Sequence, residues 1–511
     1  MDSSTNTAAI IKRNEAEVCG RVPLHQTNQV QPHGAVLVVN TDNFTILQAS
    51  ENSEQFMGVP VDKLLETSLE QHIPANQFSA LQVRLKSAAI DKVPLLLTLN
   101  GTDVLALFQP QQPYFIIELE PLQKSTEQNS FIDIYQEVKY VMAELEGAKS
   151  TDETCAIVVR ELKRISGFNK IMIYRFDEEW NGEVIAEEKE EGMEAYLGLK
   201  FPASDVPRQA RELYRKTPYR LIPNVDYQAV KLHPVINPLT HAFTDLTNCN
   251  LRSVASVHLE YLRNMNVAAS MSTRILKDGQ LWGLIACHHR SPKYLSYQEC
   301  SLFEMLSSVV TNKILAVQYH DAYQSKTELQ LKLSRIMEVV YRGNDVLSAL
   351  IHQQAAISEL LGADGLVVKT PKQTAYFGDT PGNQEVEELI YWLQSNNINQ
   401  LYHQPGLSVA FENAGAYSKK CSGLLALAIQ PEKGFYLLVF RAEAVQKISW
   451  GGNPNEAVQF DKDRKNYHPR TSFKLWQETV YNKSIPWNEE QLLVAERLRN
   501  LMIEYVLNSA L

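Results

Sequence analysis

The sequence predicts an α+β protein of three domains, in which antiparallel sheets are flanked by helices. Short runs of strand-like residues, often alternating between apolar and polar, recur in three blocks along the 511 residues. A chain of this length has room for three or four domains with sizeable cores. Between Pro292 and Gly343 lie 50 residues without proline or glycine, which predicts a helix about 75 Å long joining the second block to the third.

The composition is that of a soluble globular protein and argues against several functions. With 49 basic and 59 acidic residues, the formal net charge is −10, which argues against general nucleic-acid binding. No apolar run approaches the length of a membrane span, and the N-terminal residues lack a signal-peptide pattern. We therefore expect neither membrane association nor secretion.

Six cysteines, at positions 19, 155, 249, 287, 300 and 421, are scattered without close pairs. This spacing is typical of the reducing cytoplasm and offers no zinc-binding pattern. Cys287, His288 and His289 are adjacent, but neighbouring residues of a strand point to opposite faces. We expect a cytoplasmic protein without a metal site.

The first 34 residues are irregular and polar, and they end in the turn-like sequence QPHG. Cys19 lies here, close to Arg21 and outside any apolar pattern. A nearby cation favours the thiolate, which is the form that attacks an electrophile. Taken alone, Cys19 is either a reactive thiol or a tolerated surface thiol.

The first two blocks of strands are joined by a predicted helix at 126–150. The first block, from Ala35, contains AVLVVN, NFTILQAS, VPLLLTLN, VLALF and YFIIELE, with short helices expected near Glu51–Met57 and Val61–Leu69. The second block contains KIMIYRFD, GEVIAEEK, ASMSTRIL and QLWGLIACHH. Asp278 and Gly279 predict a hairpin between its last two strands.

The third block contains GLVVKT, LSVAF, LLALAIQ and GFYLLVFRAE, followed by a long polar insertion at about 444–474. Aromatic residues in the insertion argue against disorder, and long insertions in compact domains are usually functional. A final helix is predicted from Asn488, with Gln491 as its capping-box partner. Because this helix reaches Leu511 without a stop signal, we expect the natural chain to continue.

The stretch Phe201–Asp226 predicts a rigid loop that opens a helix. Pro202 and Pro207 fix the backbone on either side of Asp205, and helical spacing of apolar residues begins after Pro207. Taken alone, Asp205 either stabilises the helix N-terminus or lines a pocket.

The string PASDVP, followed by RQARELY, resembles the chromophore-pocket signature of phytochromes, in particular the biliverdin-binding bacteriophytochromes. The resemblance extends over almost the whole chain and implies the domain order of that family. Its parts are an N-terminal arm at 1–19, a PAS domain at 20–125, a GAF domain at 126–315 and a PHY domain at 316–511.

The insertion at 444–474 resembles the tongue of a PHY domain. Residues Pro469 to Phe473 read PRTSF and match the tongue signature PRxSF. The tongue residues implied to take part in switching are Trp450, Pro469, Arg470, Ser472 and Phe473.

The resemblance also implies a biliverdin joined to Cys19 by a thioether. A linear tetrapyrrole has pyrrole N–H donors, two propionates and conjugated rings, so its site needs an acceptor, cations and aromatic walls. Besides Asp205, the matching residues are Arg220 and Arg252 for the propionates, Ser270 and Ser272 for the second propionate, His258 for the pyrrole nitrogens, His288 for the carbonyl of the last ring, and Tyr174, Phe201, Tyr214 and Tyr261 for the walls.

The chain departs from the family at the segment before the pocket histidine. The usual Ser-Pro-x-His reads Ala255-Ser256-Val257-His258 here, so a hydroxyl is lost and the backbone is freed from proline. We expect a different pocket water network. Plant and cyanobacterial phytochromes carry a cysteine where this chain has Val257, which assigns the linkage to Cys19 and the pigment to biliverdin.

The function implied by the resemblance is a red/far-red photoreceptor module rather than an enzyme. Light isomerises the bridge between rings C and D, Asp205 exchanges Arg470 for Ser472, and the tongue refolds. The signal passes along the long helices, which are expected to form a homodimer. Its destination is an output module beyond this chain, a histidine kinase that acts on a response regulator.

Two other functions remain open from the residues alone. One is a small-molecule sensor in which the GAF domain binds a cyclic nucleotide or haem, with His258 or His288 as the axial haem ligand. Alternatively, Cys19 is a catalytic nucleophile with His25 as its base, although no orienting group or oxyanion site is evident.

Overall fold

The computed structural model describes residues 23–87, 92–122, 131–343, 346–456, 458–460 and 467–509. Two compact units are present: Met1–Leu315 with Ser449–Trp476, and Ala316–Ile448 with Gln477–Leu511. We call them unit 1 and unit 2. Cys19 lies outside the described residues.

The described part of unit 1 contains two large sheets. Its strands before the long helix are β1 (Gln29–Val30), β2 (Ala35–Asn40), β3 (Ile46–Ser50), β4 (Val93–Leu99), β5 (Thr102–Gln111), β6 (Tyr114–Pro121), β7 (Lys170–Phe176), β8 (Gly182–Lys189), β9 (Lys200–Phe201), β10 (Tyr219–Ile222), β11 (Val230–His233), β12 (Ala269–Lys277) and β13 (Gln280–His289). The α-helices of unit 1 are Glu54–Met57, Val61–Leu64, Ala75–Ser87, Phe131–Gly147, Thr151–Ser166, Arg208–Lys216, Ser256–Asn264 and the first part of Tyr297–Arg342.

The first sheet has the strand order β1-β11-β3-β2-β6-β5-β4. Its core lies between β2, β3 and β6 on one side and the helix Ala75–Ser87 with its shorter neighbours on the other. The helix Ala75–Ser87 was not predicted from the sequence. Nor was it predicted that β11, more than 100 residues further along the chain, joins this sheet by pairing with β3.

The second sheet of unit 1 runs in the order β10-β12-β13-β7-β8-β9, and neighbouring strands among these six are antiparallel. A strand of the insertion extends the sheet by pairing in parallel with β9. Alternate residues of its strands separate into two groups, as the pleat requires. Ile171 and Ile173 of β7 and Ile285 of β13 pack against the helices Thr151–Ser166 and Tyr297–Arg342. The residues between them face the opposite side, where the candidate site lies. The hairpin predicted at Asp278 and Gly279 is confirmed, since both residues adopt positive φ between paired strands.

The predicted long helix is confirmed and spans Tyr297–Arg342, 46 residues. Its length and composition alone would allow it to cross a membrane, but 44% of its most apolar window is buried inside the protein. Leu302, Phe303 and Leu306 belong to the core of unit 1. A buried helix of a soluble protein meets the same criteria, so this helix is weak evidence for a membrane span.

Unit 2 is a five-stranded antiparallel sheet with helices on both faces. Its strands are β14 (Gly365–Lys369), β15 (Thr374–Gly378), β16 (Leu401–Gln404), β17 (Gly423–Gln430) and β18 (Phe435–Arg441), in the order β15-β14-β18-β17-β16. The helices are the last part of Tyr297–Arg342, Val346–His352, Gln354–Leu361, Asn383–Ser395, Leu407–Ala410 and Glu489–Ser509. The prediction of a strand at LSVAF is wrong, because Leu407–Ala410 forms a helical turn after Gly406. Side chains of β18 alternate between two cores, with Leu437 and Val439 on one face and Leu438 and Phe440 on the other.

The insertion contains strands β19 (Gln446–Gly451), β20 (Val458–Phe460), β21 (Tyr467–Pro469) and β22 (Leu475–Val480). Strands β20 and β21 form an antiparallel pair. Because β22 continues to Val480, strand structure extends beyond residue 474, the predicted end of the insertion. The insertion also contains a short 3-10 helix, Pro454–Glu456.

The 3-10 helices described in the rest of the chain are Leu69–Gln71, Ala203–Asp205, Glu412–Tyr417 and Pro431–Lys433.

Candidate chromophore-binding site

A cavity of about 240 Å³ lies on the free face of the second sheet of unit 1. Strand register builds its floor. Arg220 of β10 lies opposite Ser272 of β12, which lies opposite Ala286 of β13. One row along, Ile222 pairs with Ser270, and Ser270 pairs with His288. Residues from strands far apart in sequence therefore form two polar rows on one surface.

Of the residues that the sequence predicted to bind the chromophore, the eleven that lie within the described ranges all line this cavity. They are Tyr174, Phe201, Asp205, Tyr214, Arg220, Arg252, His258, Tyr261, Ser270, Ser272 and His288. Pro469 of the insertion lines it too.

Arg220 and Arg252 give the cavity an uncompensated positive charge. Arg220 donates hydrogen bonds to the carbonyl oxygens of Asn250 (3.0 Å) and Arg252, and Arg252 donates to the carbonyl of Thr247 (3.1 Å). Among the described residues, neither guanidinium forms an ion pair with a carboxylate. Burial and the neighbouring Arg220 charge lower the pKa of Arg252 to about 9, which marks a place where an anion is favoured.

The two histidines of the cavity are neutral near pH 7. Burial, reinforced by the Arg220 charge, lowers the pKa of His258 to about 4. Burial, with Lys170 and His258 as further causes, lowers the pKa of His288 to about 3. A neutral imidazole has one N–H donor and one acceptor nitrogen, so both rings can contact the polar edge of a ligand.

Aromatic rings form the wall opposite Arg220. The rings of His258 and Tyr261 are stacked with centroids 6.0 Å apart, and Tyr174 packs against Phe201 at 5.9 Å. Gly182 makes this arrangement possible, since a Cβ there would lie 1.6 Å from the Tyr174 ring. Tyr196 lines the same wall but was not predicted as a site residue. This residue lies outside the helices and strands, so no periodic apolar pattern in the sequence marks it.

Asp205 lies at the end of the aromatic wall, in the loop between Pro202 and Pro207 that was predicted to be rigid. Its Oδ2 accepts a hydrogen bond from the Tyr261 hydroxyl (2.8 Å) and another from the Arg470 Nη2. Burial raises the pKa of the Asp205 carboxyl, while the Arg470 charge and the Tyr261 hydrogen bond favour its ionised form.

Arg470 is enclosed by aromatic rings. Its guanidinium lies 5.4 Å from the ring centroid of Phe201 and 4.9 Å from that of Phe473, within the range of cation–π attraction. Phe473 also packs edge-on against Tyr261, with centroids 5.0 Å apart. The insertion therefore contacts the cavity through residues on both sides of Thr471.

Other insertion residues occupy different positions. Trp450 is buried and pairs in parallel with Lys200 of β9, whereas Ser472 is exposed to solvent. Gly451 allows the insertion to approach closely, because a Cβ there would lie 2.7 Å from the Phe201 ring. Pro469 pairs with Val458 in the small β20–β21 sheet.

Comparison with known sequences identifies the domains and the family. Residues 19–122 match the PAS fold, residues 150–314 the GAF domain and residues 329–510 the phytochrome region. A bacteriophytochrome of Pseudomonas aeruginosa is 30% identical over 511 residues, which cover 96% of this chain and 67% of that protein. The chain belongs to the phytochrome family.

Other relatives and two solved structures agree with this assignment. Cyanobacterial phytochrome B of a Nostoc species is 37% identical over 500 residues, covering 96% of this phytochrome and 66% of the relative. A bacteriophytochrome from R. palustris superimposes with a TM-score of 0.86 at 31% identity, covering 97% of this chain and all of that one. The photosensory core module of a Stigmatella aurantiaca phytochrome gives 0.83 at 34% identity, covering 96% and 98%.

This phytochrome spans about two thirds of the length of the curated relatives it matches. It contains PAS, GAF and phytochrome-region domains, in the order that the sequence predicted.

The residues of the cavity fit the bilin chromophore that the family implies. Within the described ranges Arg220 and Arg252 have no carboxylate partner, which suits the binding of two propionates, and the aromatic wall suits conjugated rings. No group of three or more metal-capable side chains is found within the described residues.

Proposed function

We propose that this phytochrome is a red/far-red photoreceptor module that carries biliverdin joined to Cys19 by a thioether. The observation that carries the proposal is the cavity itself, where two guanidiniums that no described carboxylate pairs with, neutral histidines and an aromatic wall surround one space. When bound, biliverdin supplies the light-driven isomerisation of the bridge between its rings C and D. The protein holds that chromophore and responds to its change of shape.

The described cysteines support Cys19 as the attachment site. Cys155, Cys249, Cys287, Cys300 and Cys421 are all free and buried. Burial raises the pKa of each of these thiols above its ordinary value. Because the thiolate is the nucleophile, buried thiols of this kind are inert. Cys249, the next cysteine to consider, donates its S–H to Glu118 rather than facing the cavity.

The binding roles follow from the chemistry of each group. Arg220 and Arg252 bind the propionates, with Ser270 and Ser272 as neutral donors beside them. His258 contacts the pyrrole nitrogens, and His288 contacts the carbonyl of the last ring. Tyr174, Phe201, Tyr214 and Tyr261 form the walls around that ring, where a change of shape is felt first.

The Asp205–Arg470 contact is the proposed switch. In the red-absorbing state Arg470 pairs with Asp205, which is the arrangement of this structure. After the chromophore changes shape, Asp205 exchanges Arg470 for Ser472, two residues along. Arg470 and Ser472 both follow the end of β21, and Arg470 is buried whereas Ser472 is exposed. The exchange therefore requires a change of backbone conformation in this part of the insertion, to a helix in this proposal. Such a refolding shortens the insertion and moves the helices of the module.

We further propose that the long helices form a homodimer and pass the signal to an output module, a histidine kinase with a response regulator as its substrate. Exposed apolar side chains along helix Tyr297–Arg342 support a partner helix there: Met305, Tyr319, Tyr323, Leu331, Val339 and Tyr341. The free thiols of the described cysteines support a cytoplasmic location.

The test is an absorbance spectrum of the protein produced with biliverdin, and separately with haem. With biliverdin we expect a red band that red light converts to a far-red band and far-red light restores. A stable haem spectrum, with no photoconversion of the biliverdin sample, would instead support the GAF-based haem sensor.

A further inference from the structure

One buried charge beside the cavity has no role in the proposal above. Lys170, the first residue of β7, is only 1% exposed. Its ammonium lies 2.9 Å from Glu187 Oε1, donates to the Glu194 carbonyl (2.7 Å) and sits 3.3 Å above the Tyr196 ring. Burying a lysine is costly unless its charge is paired, so this position requires the partners it has.

Strand register places this lysine beside His288. Lys170 is the cross-strand partner of His288, which continues the row formed by Ile222 and Ser270. Opposite residues on neighbouring antiparallel strands point to the same face with their Cβ atoms about 5 Å apart. Lys170 and His288 also line a second, smaller cavity of about 80 Å³, which shares Tyr196 and His288 with the main cavity.

Glu187 fixes the other side of the pair. Its carboxylate accepts the backbone N–H of Tyr196 (3.0 Å) and, at 3.4 Å, that of Leu197. The Tyr196 ring is thereby held over the ammonium and packs edge-on against Phe201, with centroids 5.6 Å apart. The lysine cannot swing away from His288 without breaking these contacts.

We propose that Lys170 is a positioning residue of the photoreceptor, whose fixed ammonium keeps His288 in its neutral form. A protonated His288 would place a second buried cation opposite the first. The inference rests on the proposed function for its meaning, because the protonation state of His288 decides whether it offers an acceptor nitrogen to the chromophore.

The electrostatic surroundings agree with this role. The other charged and titratable groups packed around His288 are Glu187 on β8, His258 on helix Ser256–Asn264, Tyr196 and Glu194 before β9, and Arg290 after β13. Burial is the main cause of the low pKa of His288, and Lys170 is the next. Burial lowers the pKa of Lys170 itself to about 8, so the ammonium is present throughout the acidic range where His288 would gain a proton.

The test is to measure the pKa of His288 in the pigment-free chain. The titration is monitored by NMR of the histidine side chains in protein isotopically labelled on histidine. The His288 signal is assigned by its loss in His288→Gln. In the wild type we expect no protonation of His288 down to pH 4. In Lys170→Met we expect its proton affinity to rise at least tenfold, because a like charge is removed and Glu187 is left unpaired. An unchanged titration in Lys170→Met would overturn the proposal.

Controls separate charge from structure. Lys170→Arg keeps the charge and should retain the wild-type titration. Arg175→Met removes a cation from the same strand, where it pairs with Glu183 at 2.9 Å, and should leave His288 unaffected. If Lys170→Met does not fold, Lys170→Met/Glu187→Gln removes both charges while the Gln oxygen still accepts the Tyr196 N–H. In that variant a rise of His288 proton affinity supports the proposal, and no change overturns it.

A second measurement links the inference to light sensing. The dark absorbance of the biliverdin-loaded protein, titrated from pH 8 to pH 4, should show a transition in Lys170→Met that is absent from the wild type and from Lys170→Met/His288→Gln. Failure of the wild type to bind biliverdin would contradict the proposed function and leave the NMR result to decide the role of Lys170.

Discussion

Arg470 donates a hydrogen bond to Asp205 across 265 residues of sequence, and the side chains of the two are 3% and 4% exposed. Removing one partner of a buried ion pair leaves the other charge without compensation. The contact therefore holds the insertion against the cavity, and replacing either residue should break it.

We expect Arg470→Ala to keep biliverdin binding and a nearly normal dark spectrum but to impair photoconversion. The buried Asp205 charge loses its partner, at a cost on the order of 3–5 kcal/mol if it stays desolvated. Asp205→Ala should retain the pigment, fail to form a stable far-red state and fluoresce more strongly. Absorbance after red and far-red light, together with fluorescence yield, checks both expectations.

His468→Ala provides a matched control for this experiment. His468 of the insertion also pairs with Glu260 of helix Ser256–Asn264, at 3.0 Å, but both side chains are partly exposed, and such a pair contributes little. Ser472→Ala should leave the dark spectrum unchanged, because Ser472 is exposed here, and should destabilise the far-red state. Complete, stable photoconversion in Arg470→Ala and Asp205→Ala would show that this contact does not transmit the signal.

Local patterns in the sequence could predict the elements that depend on local interactions. The capping box predicted at Asn488 is confirmed: Gln491 N–H donates to Asn488 Oδ1 (2.8 Å), and Asn488 N–H donates to Gln491 Oε1 (3.2 Å). Strands β2 to β8, β12 and β13 and the hairpin at Asp278 follow equally from apolar patterning and turn chemistry.

Contacts between distant segments could not be predicted in this way. Strand β11 has only four residues, VKLH, whose pattern gives no indication that they complete the first sheet. Lys170 has the appearance of an exposed charge at the start of a strand, and its burial depends on Glu187 and Tyr196 folding over it. The cavity residues were found through resemblance to a family, because an isolated arginine or tyrosine has no distinguishing pattern of its own.

Arg252→Ala should slow biliverdin assembly on the order of a hundredfold, since a buried propionate loses its cation. Arg252→Lys should give an intermediate rate, because it keeps the charge without the bidentate fork. The control is Arg215→Ala, an exposed arginine on helix Arg208–Lys216 that pairs with Glu212 at 3.2 Å. Assembly is followed by absorbance after mixing with biliverdin, and equal rates for Arg252→Ala and Arg215→Ala would exclude Arg252 as a propionate ligand.

Cys19→Ser should bind biliverdin without a covalent bond. The cavity residues are unchanged, so the red band should persist, while the pigment should separate from the chain on a denaturing gel. Cys249→Ser is the control and should retain the attached pigment, because the Cys249 thiol is buried beside Glu118. Pigment that remains attached to Cys19→Ser would move the linkage to another cysteine.

Glu120 should make the stability of unit 1 depend on pH. This carboxyl is 6% exposed and accepts a hydrogen bond from the Tyr294 hydroxyl (2.7 Å). Burial, opposed by that hydrogen bond and reinforced by Glu118, raises the pKa of Glu120 to about 7. The folded state therefore binds the proton more tightly than the unfolded chain, and the stabilisation is complete below about pH 4.5 and lost as pH rises through 7.

Glu120→Gln keeps an acceptor for Tyr294 and removes the charge. We expect the variant to gain stability relative to the wild type as pH rises from 5 to 8.5, by up to about 3 kcal/mol, with little difference near pH 4.5. Urea unfolding midpoints across this range measure the difference, with exposed Glu178→Gln as the control. A constant difference between Glu120→Gln and the wild type would mean that Glu120 is already ionised at pH 5. In that case Lys92, which pairs with Glu118 at 2.8 Å, compensates both carboxylates.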